Sequence, residues 1–151
     1  VVVGLDSTRS LRWKSGALTD SHLDLLGDAL AEAGPEAIRM VFLHHPPESA
    51  RGGHPYAVLI DHGIDLVLAG HAHRAHVGLI DGETGGALIL ARATTACSTR
   101  LRGDANGYGL IRLAPGRIAV EVVGWTGEAF HPLRRHLFSR RPGGCWRPEP
   151  A

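Results

Sequence analysis

The chain is predicted to be an α/β domain, because two short apolar segments have the character of buried strands and each runs into histidines. Residues 38–43 lead into His44, and residues 64–69 lead through a glycine into His71. Continuous apolar runs of this length are typical of strands in the interior of a sheet. Ligands bind at the carboxyl edge of parallel strands, so the two histidine runs are expected to meet there.

The first half of the chain alternates predicted strands and helices. Residues 1–5 form a predicted strand, and Thr19 or Asp20 begins a helix whose leucines recur at three- and four-residue spacing. A second, shorter helix is predicted over residues 55–62. Strands separated by helices with short connections predict a parallel sheet with right-handed crossovers.

The second half of the chain is predicted to be antiparallel and rich in strands, because glycine and proline turns separate its apolar runs. We therefore expect one domain portion over residues 1–132 and a disordered, solvated tail over 133–151, where arginines lie among prolines and glycines. Binding of nucleic acid or an anionic membrane by this tail is an alternative. The predicted strands of this half are 76–81, 87–93, 108–113 and 117–125.

Composition excludes several classes of protein. With 151 residues, 44% of them hydrophobic and 21% charged, the chain is an ordinary globular domain. A net charge of +1 provides no strong field for nucleic acid. No membrane-spanning stretch or signal peptide is found. Cys97 and Cys145 match no zinc or redox spacing, which is typical of free thiols, and a cytoplasmic location is expected.

The chain has ten histidines, a high count, and several of them lie in one window, residues 44–76. His71 and His73 lie two residues apart, after Gly70, which permits a tight bend. The pair is therefore able to chelate one ion or to reach two different ions, and the simpler alternative is a pair of hydrogen-bonded loop histidines. Clustered imidazoles are the ligands that divalent transition metals prefer.

His44 is the third candidate metal ligand. The next residue, His45, precedes a proline, which restricts its backbone and should hold His44 rigidly at the strand end. His45 itself has three possible roles: direct coordination, support of a ligand from behind, or simple exposure. Two residues nearby are candidates for contact with a substrate, His54 in a glycine-rich loop and Arg74 facing a phosphate.

The two histidine runs resemble the last two metal-binding motifs of the calcineurin-like metallophosphoesterase superfamily. The first is Phe-Leu-His-His-Pro-Pro at 42–47, and the second is Ala-Gly-His-Ala-His at 69–73. The branch that looks most similar is bacterial and includes cyclic-nucleotide phosphodiesterases. The resemblance covers roughly residues 1–130 and includes the opening segment 3–8 and the closing segment 106–112.

This resemblance implies a sandwich of two mixed sheets flanked by helices, with two divalent metal ions, Mn, Fe or Zn. It implies that His44 and His71 bind one ion and His73 the other. A metal-bound hydroxide then attacks a phosphate ester, such as a nucleotide or cyclic nucleotide, while both ions stabilise the developing charge. The implied function is that of a metal-dependent phosphodiesterase.

The superfamily also uses Asp-x-His, Gly-Asp and Gly-Asn-His motifs, which supply carboxylates and a histidine, and we expect these to precede Val1. The short matches at 20–22 and 27–28 fall within one predicted helix and are not these motifs. Three neutral imidazoles cannot offset two divalent charges held about 3.5–4 Å apart. This chain is therefore expected to lack the N-terminal strands of the domain, to have an unpaired sheet edge, and to be weakly active or inactive.

Two other functions are compatible with the sequence. The first is a non-catalytic domain that keeps the metallophosphoesterase fold and binds a ligand or a partner. The second is a structural zinc module, which is the weaker alternative because closed zinc sites use four ligands, usually including cysteine. Neither Cys97 nor Cys145 is spaced to complete such a site.

Overall fold

Two β-sheets and two helices are present in the computed structural model, which describes residues 1–7, 18–47, 56–83 and 85–150. No helix within these residues is long and apolar enough to cross a membrane. In chain order the elements are β1 (Val2–Gly4), α1 (Asp20–Leu30), β2 (Met40–Leu43), α2 (Ala57–Asp61), β3 (Leu66–Ala69), β4 (His76–Asp81), β5 (Ala87–Arg92), β6 (Gly107–Ala114), β7 (Arg117–Trp125), β8 (Phe130–Ser139) and β9 (Arg147–Pro148).

The first sheet has the strand order β1-β2-β3-β5-β4. Its first four strands run parallel, and β4 is antiparallel to β5. Leu43, the last residue of β2, pairs with Ala69, the last residue of β3. The parallel arrangement predicted for the first half of the chain is confirmed, and the carboxyl ends of β2 and β3 are level.

The two helices cover one face of the first sheet. Leu26 of α1 and Leu59 of α2 are completely buried and belong to the same core cluster as Val41 of β2 and Val67 of β3. Complete burial of one such side chain stabilises the fold by about 1.5–3 kcal/mol. This core holds the strands that carry the histidines in a fixed register.

The opposite face of the first sheet packs against the second sheet, whose order is β6-β7-β8-β9. Met40 and Leu66 meet Ile118, Val120 and other residues of the second sheet in a separate core cluster. The predicted α/β class with two sheets and flanking helices is confirmed. The first sheet is mixed, whereas the second is antiparallel throughout, because tight turns such as residues 115–116 join strands that run in opposite directions.

The structure differs from the expectation of a disordered tail from residue 133 onward. β8 crosses the expected boundary, β9 pairs with it, and Trp146 is only 2% exposed. Arg134 and Arg135 are exposed while Phe138 of the same strand is buried. The strand is not predicted from the sequence because its composition is charged and rich in proline. Its basic side chains remain in solvent, and only a few apolar ones enter the core.

A buried carboxylate joins the C-terminal segment to the first sheet. Asp65, which is 3% exposed, lies directly before β3 and accepts a hydrogen bond from the backbone N–H of Arg39 at 2.7 Å. Its other oxygen accepts from Arg140 Nη1 at 2.5 Å and from Trp146 Nε1 at 2.8 Å. The Arg140 guanidinium also lies 4.9 Å from the centroid of the Trp146 ring. Nothing in the local sequence around Asp65 indicates this contact.

Substituting Asp65→Ala should lower the free energy of unfolding by about 3 kcal/mol, because it leaves a partly buried guanidinium and a buried indole N–H without their acceptor. Urea denaturation of the folded chain measures this change. The matched control is Glu149→Gln, which breaks the exposed ion pair with Arg117 and should cost less than about 1 kcal/mol. If both substitutions lowered the free energy of unfolding by the same amount, Asp65 would have no anchoring role.

Candidate metal centre

The two histidine runs meet at the carboxyl edge of the first sheet, as the sequence predicts. His44 directly follows β2, and Gly70 and His71 directly follow β3. The backbone N–H of Gly70 donates to the carbonyl oxygen of His44 at 3.0 Å, so the two segments remain paired beyond the last sheet residues. This hydrogen bond brings the following imidazoles close together.

Three imidazoles form the centre of the candidate site. One ring nitrogen from each of His44, His45 and His71 lies within 4.8 Å of the others. The ring centroids are 4.7 Å apart for His44 and His45, 5.4 Å for His44 and His71, and 4.3 Å for His45 and His71. Nitrogens bound to one tetrahedral ion are roughly 3.4 Å apart, so the three rings are close to the separation that one shared ion requires.

The backbone of the turn after β3 adopts an uncommon conformation. His71 has φ 63° and His73 has φ 55°, both in the left-handed region that few non-glycine residues occupy. Such strain is concentrated at functional sites, where the surrounding structure enforces it. The turn directs the two rings differently: His71 joins the cluster, while His73 Nδ1 lies 3.1 Å from the carbonyl oxygen of Arg100 and donates to it.

Ser7 orients the buried member of the cluster. His45 is 6% exposed, its backbone N–H donates to Ser7 Oγ at 2.9 Å, and its Nδ1 lies 3.3 Å from the same oxygen. A hydrogen bond on one ring nitrogen leaves the other available for a metal and sets the direction in which it points. The sequence leaves the role of His45 open and gives no signal for Ser7, because the two residues are 38 positions apart.

The electrostatics of the site lower the pKa of His44 and favour its neutral imidazole. Desolvation by the surrounding chain lowers the pKa of His44 below its ordinary value of 6.5, although the residue as a whole is exposed. Positive charge on His45 and on His73 lowers this pKa further. Because a metal binds imidazole only in its neutral form, His44 is in the binding-competent state at neutral pH.

The other candidate residues have different surroundings. Arg74 is exposed, and its Nε donates to the carbonyl oxygen of Arg102 at 2.8 Å. His54 lies outside the described residues. His73 is near enough to His44 to lower its pKa but is not part of the three-imidazole cluster. Its assignment to a second ion therefore stays a prediction that depends on the family resemblance.

The short motif-like matches at 20–22 and 27–28 both lie within α1, as predicted. Thr19 caps this helix by accepting the backbone N–H of His22 at 3.3 Å, and the His22 ring accepts the backbone N–H of Thr19 in return. This reciprocal arrangement is a capping box, with histidine in place of the usual glutamate. His22 has a structural role at the start of the helix.

The donor set of the cluster fits one divalent ion. No carboxylate among the described residues belongs to the group formed by His44, His45 and His71. Three neutral nitrogens are the donor set of a mononuclear site with a fourth position open for water or a ligand. They bring no negative charge, which two ions held about 3.5–4 Å apart require.

No family model and no curated protein matches this chain. Three solved structures of Vps29 from Entamoeba histolytica are similar to it. A single mutant is 11% identical, covers 91% of this chain and 98% of its own, and has a TM-score of 0.45. The wild-type protein complexed with Zn²⁺ is 12% identical, with coverages of 89% and 96% and a TM-score of 0.41. A double mutant is 11% identical, covers 91% of this chain and 99% of its own, and has a TM-score of 0.44. Similarity at this level says nothing about the activity of the present chain.

Substituting Ser7→Ala should weaken metal binding by about 10–100-fold, because the His45 ring loses the hydrogen bond that orients it. Competition with a chromophoric Zn²⁺ chelator measures the affinity. Ser21→Ala is the matched control, since its hydroxyl contacts only the exposed start of α1, and it should leave the affinity unchanged. An unchanged affinity in Ser7→Ala would remove Ser7 from the site.

Proposed function

We propose that this chain binds one divalent metal ion through His44, His45 and His71, and that the ion in turn binds the phosphate of a phosphate ester. The observation that carries this proposal is the convergence of three imidazole nitrogens at the carboxyl edge of the first sheet. Nucleotides and cyclic nucleotides are the candidate ligands that the family resemblance implies. The function proposed is metal-dependent ligand binding on a metallophosphoesterase-like scaffold.

The ligand chemistry supports zinc or iron rather than manganese. Imidazole suits zinc and iron, whereas manganese prefers oxygen ligands, and the described cluster offers only nitrogens. With three protein ligands, one coordination position of a tetrahedral ion is left for an oxygen of the bound ester. Arg74, which follows His73, and Arg100, whose carbonyl oxygen accepts from His73, are both exposed, and they are candidates to attract the anionic ester.

Hydrolysis is the second candidate function, and one observation favours it. His73 follows His71 by two residues in the same turn, so the turn carries a further imidazole in addition to the one in the cluster. The two-metal route would still need negative ligands to hold both ions. We therefore place binding ahead of catalysis for this chain.

The chain should bind one Zn²⁺ per molecule, and substituting His71→Ala should reduce the affinity by at least about 100-fold, because two imidazoles remain where three were available. Isothermal titration calorimetry of the purified chain gives both the stoichiometry and the affinity. His22→Ala is the control, since His22 caps α1 outside the cluster. A stoichiometry of two ions, or equal affinity in wild type and His71→Ala, would refute the proposed site.

The same titration shows whether His45 or His73 is the third ligand beside His44 and His71. His45→Ala should weaken binding to a similar extent as His71→Ala, whereas His73→Ala should change the affinity by less than about threefold, because His73 donates to a carbonyl outside the cluster. A large loss in His73→Ala together with normal binding in His45→Ala would instead support the assignment that the family resemblance implies.

Two assays on the Zn²⁺-loaded chain distinguish ligand binding from hydrolysis: one measures nucleotide binding and the other measures turnover. We expect adenosine monophosphate to bind only when Zn²⁺ is present and not to bind His71→Ala. We also expect no hydrolysis of an aryl phosphodiester above the rate of Zn²⁺ or Mn²⁺ in buffer, because the cluster holds one ion. Turnover that needs both the metal and His71 would establish a phosphoesterase and place catalysis ahead of binding.

A further inference from the structure

The β5–β6 loop, residues 93–106, lies against the turn after β3. His73 Nδ1 donates to the carbonyl oxygen of Arg100 at 3.1 Å. Arg74 Nε donates to the carbonyl oxygen of Arg102 at 2.8 Å. The partners in these two hydrogen bonds are 27 and 28 positions apart in the chain, so the turn is supported by a tertiary contact and not only by its own neighbours.

Asp104 makes a third contact between the loop and the turn, and this one has a charged acceptor. Its Oδ2 accepts the backbone N–H of Ala75, the last residue before β4, at 2.7 Å. The hydrogen bond is partly shielded from solvent. A hydrogen bond to an ionised carboxylate is roughly twice as strong as one between neutral groups. Asp104 is therefore expected to hold the end of the turn more firmly than the two carbonyl contacts do.

Asn106 fixes the loop that carries Asp104. Its side-chain oxygen accepts from Thr95 Oγ1 at 2.6 Å and from the backbone N–H of Ser98 at 3.1 Å. Its carbonyl oxygen accepts the backbone N–H of Trp125 in β7 at 2.7 Å. Because one end of the loop is bound to the second sheet in this way, Asp104 has a defined position from which to act on the turn.

The turn needs support from outside because its own backbone is strained. His71 and His73 have φ 63° and 55°, and such left-handed conformations persist in non-glycine residues only where the surrounding structure enforces them. At the start of the turn, the backbone N–H of Gly70 donates to the carbonyl oxygen of His44 at 3.0 Å. At its end, the contact with Asp104 has the corresponding role.

We propose that Asp104 is a positioning residue for the metal cluster, which keeps His71 directed toward His44 and His45 by holding the end of the turn. This inference rests on the proposed function, because it concerns the same three-imidazole site. Asp104 is not a member of that cluster and acts only through the backbone N–H of Ala75. Groups that orient metal ligands from outside typically change the affinity for the metal by about 10–100-fold.

Competition with a chromophoric Zn²⁺ chelator tests this role in the full chain. Asp104→Ala should weaken Zn²⁺ binding by about tenfold, because the end of the turn loses its acceptor. Asp104→Asn keeps an oxygen that accepts the Ala75 N–H and should bind within about threefold of wild type. Asp81→Ala is the matched control, since it removes the same charge from the exposed far end of β4, and it should leave the affinity unchanged.

Amide hydrogen exchange in the metal-free chain provides a second readout. Asp104→Ala should exchange the Ala75 amide at least about tenfold faster than wild type, whereas Asp104→Asn should retain most of the protection. The NMR resonances of His71 should shift in Asp104→Ala while the amide of Val67 in the buried β3 keeps its protection. Faster exchange at Val67 as well would indicate general destabilisation and would contradict a positioning role.

The outcomes separate this inference from the proposed function. A wild-type chain that binds no Zn²⁺ would refute the proposed function, and the metal-binding role of Asp104 would be refuted with it. Normal Zn²⁺ binding by wild type together with equal affinity in Asp104→Ala would refute this inference alone, as would equal weakening by Asp104→Ala and Asp81→Ala. If Asp104→Ala does not fold, Asn106→Ala replaces it. That variant keeps the carboxylate but loosens the loop, and it should weaken binding by about threefold or more, so an unchanged affinity would overturn the proposal.

Discussion

The buried carboxylate of Asp65 is the polar link between the first sheet and the chain that follows β8. Burying an ion pair is costly unless the remaining hydrogen-bonding capacity of both groups is used, and here one oxygen accepts from Arg140 and Trp146 while the other accepts from the backbone of Arg39. Asp65 lies at the amino end of β3, and His71 lies just beyond its carboxyl end. Because β3 contains only four residues, a short and buried strand connects the anchor of the two sheets to the metal cluster.

The chemistry at the opposite end of β3 follows from the parallel register. β2, β3 and β5 end level with one another, so His44, His71 and Arg92 are delivered to one edge although they lie far apart in the sequence. That edge therefore carries neutral imidazoles and one guanidinium, with no carboxylate among the described members of the histidine cluster. The parallel register therefore concentrates the chemistry-bearing side chains of the first sheet at its carboxyl edge.

Features that depend on neighbours in sequence could be predicted, and features that depend on distant contacts could not. The apolar runs around residues 38–43 and 64–69 predict parallel strands, and the histidines after them converge as expected. Asp65 escapes prediction because its partners Arg140 and Trp146 are 75 and 81 residues away. β8 is not predicted because most of its side chains, including its arginines, are exposed, and only a minority are buried.

The turn after β3, which no sequence pattern describes, determines which histidine joins His44 and His45 in the candidate site. Left-handed conformations at His71 and His73 cost on the order of 1–3 kcal/mol each, and they persist because β3 and β4 fix both ends of the turn. With this backbone His71 points toward His44 and His45, whereas His73 donates to the carbonyl of a separate loop. Recruiting His73 instead would break that hydrogen bond and leave the oriented ring of His45 unused. The geometry already present in the chain thus favours three imidazoles around one ion.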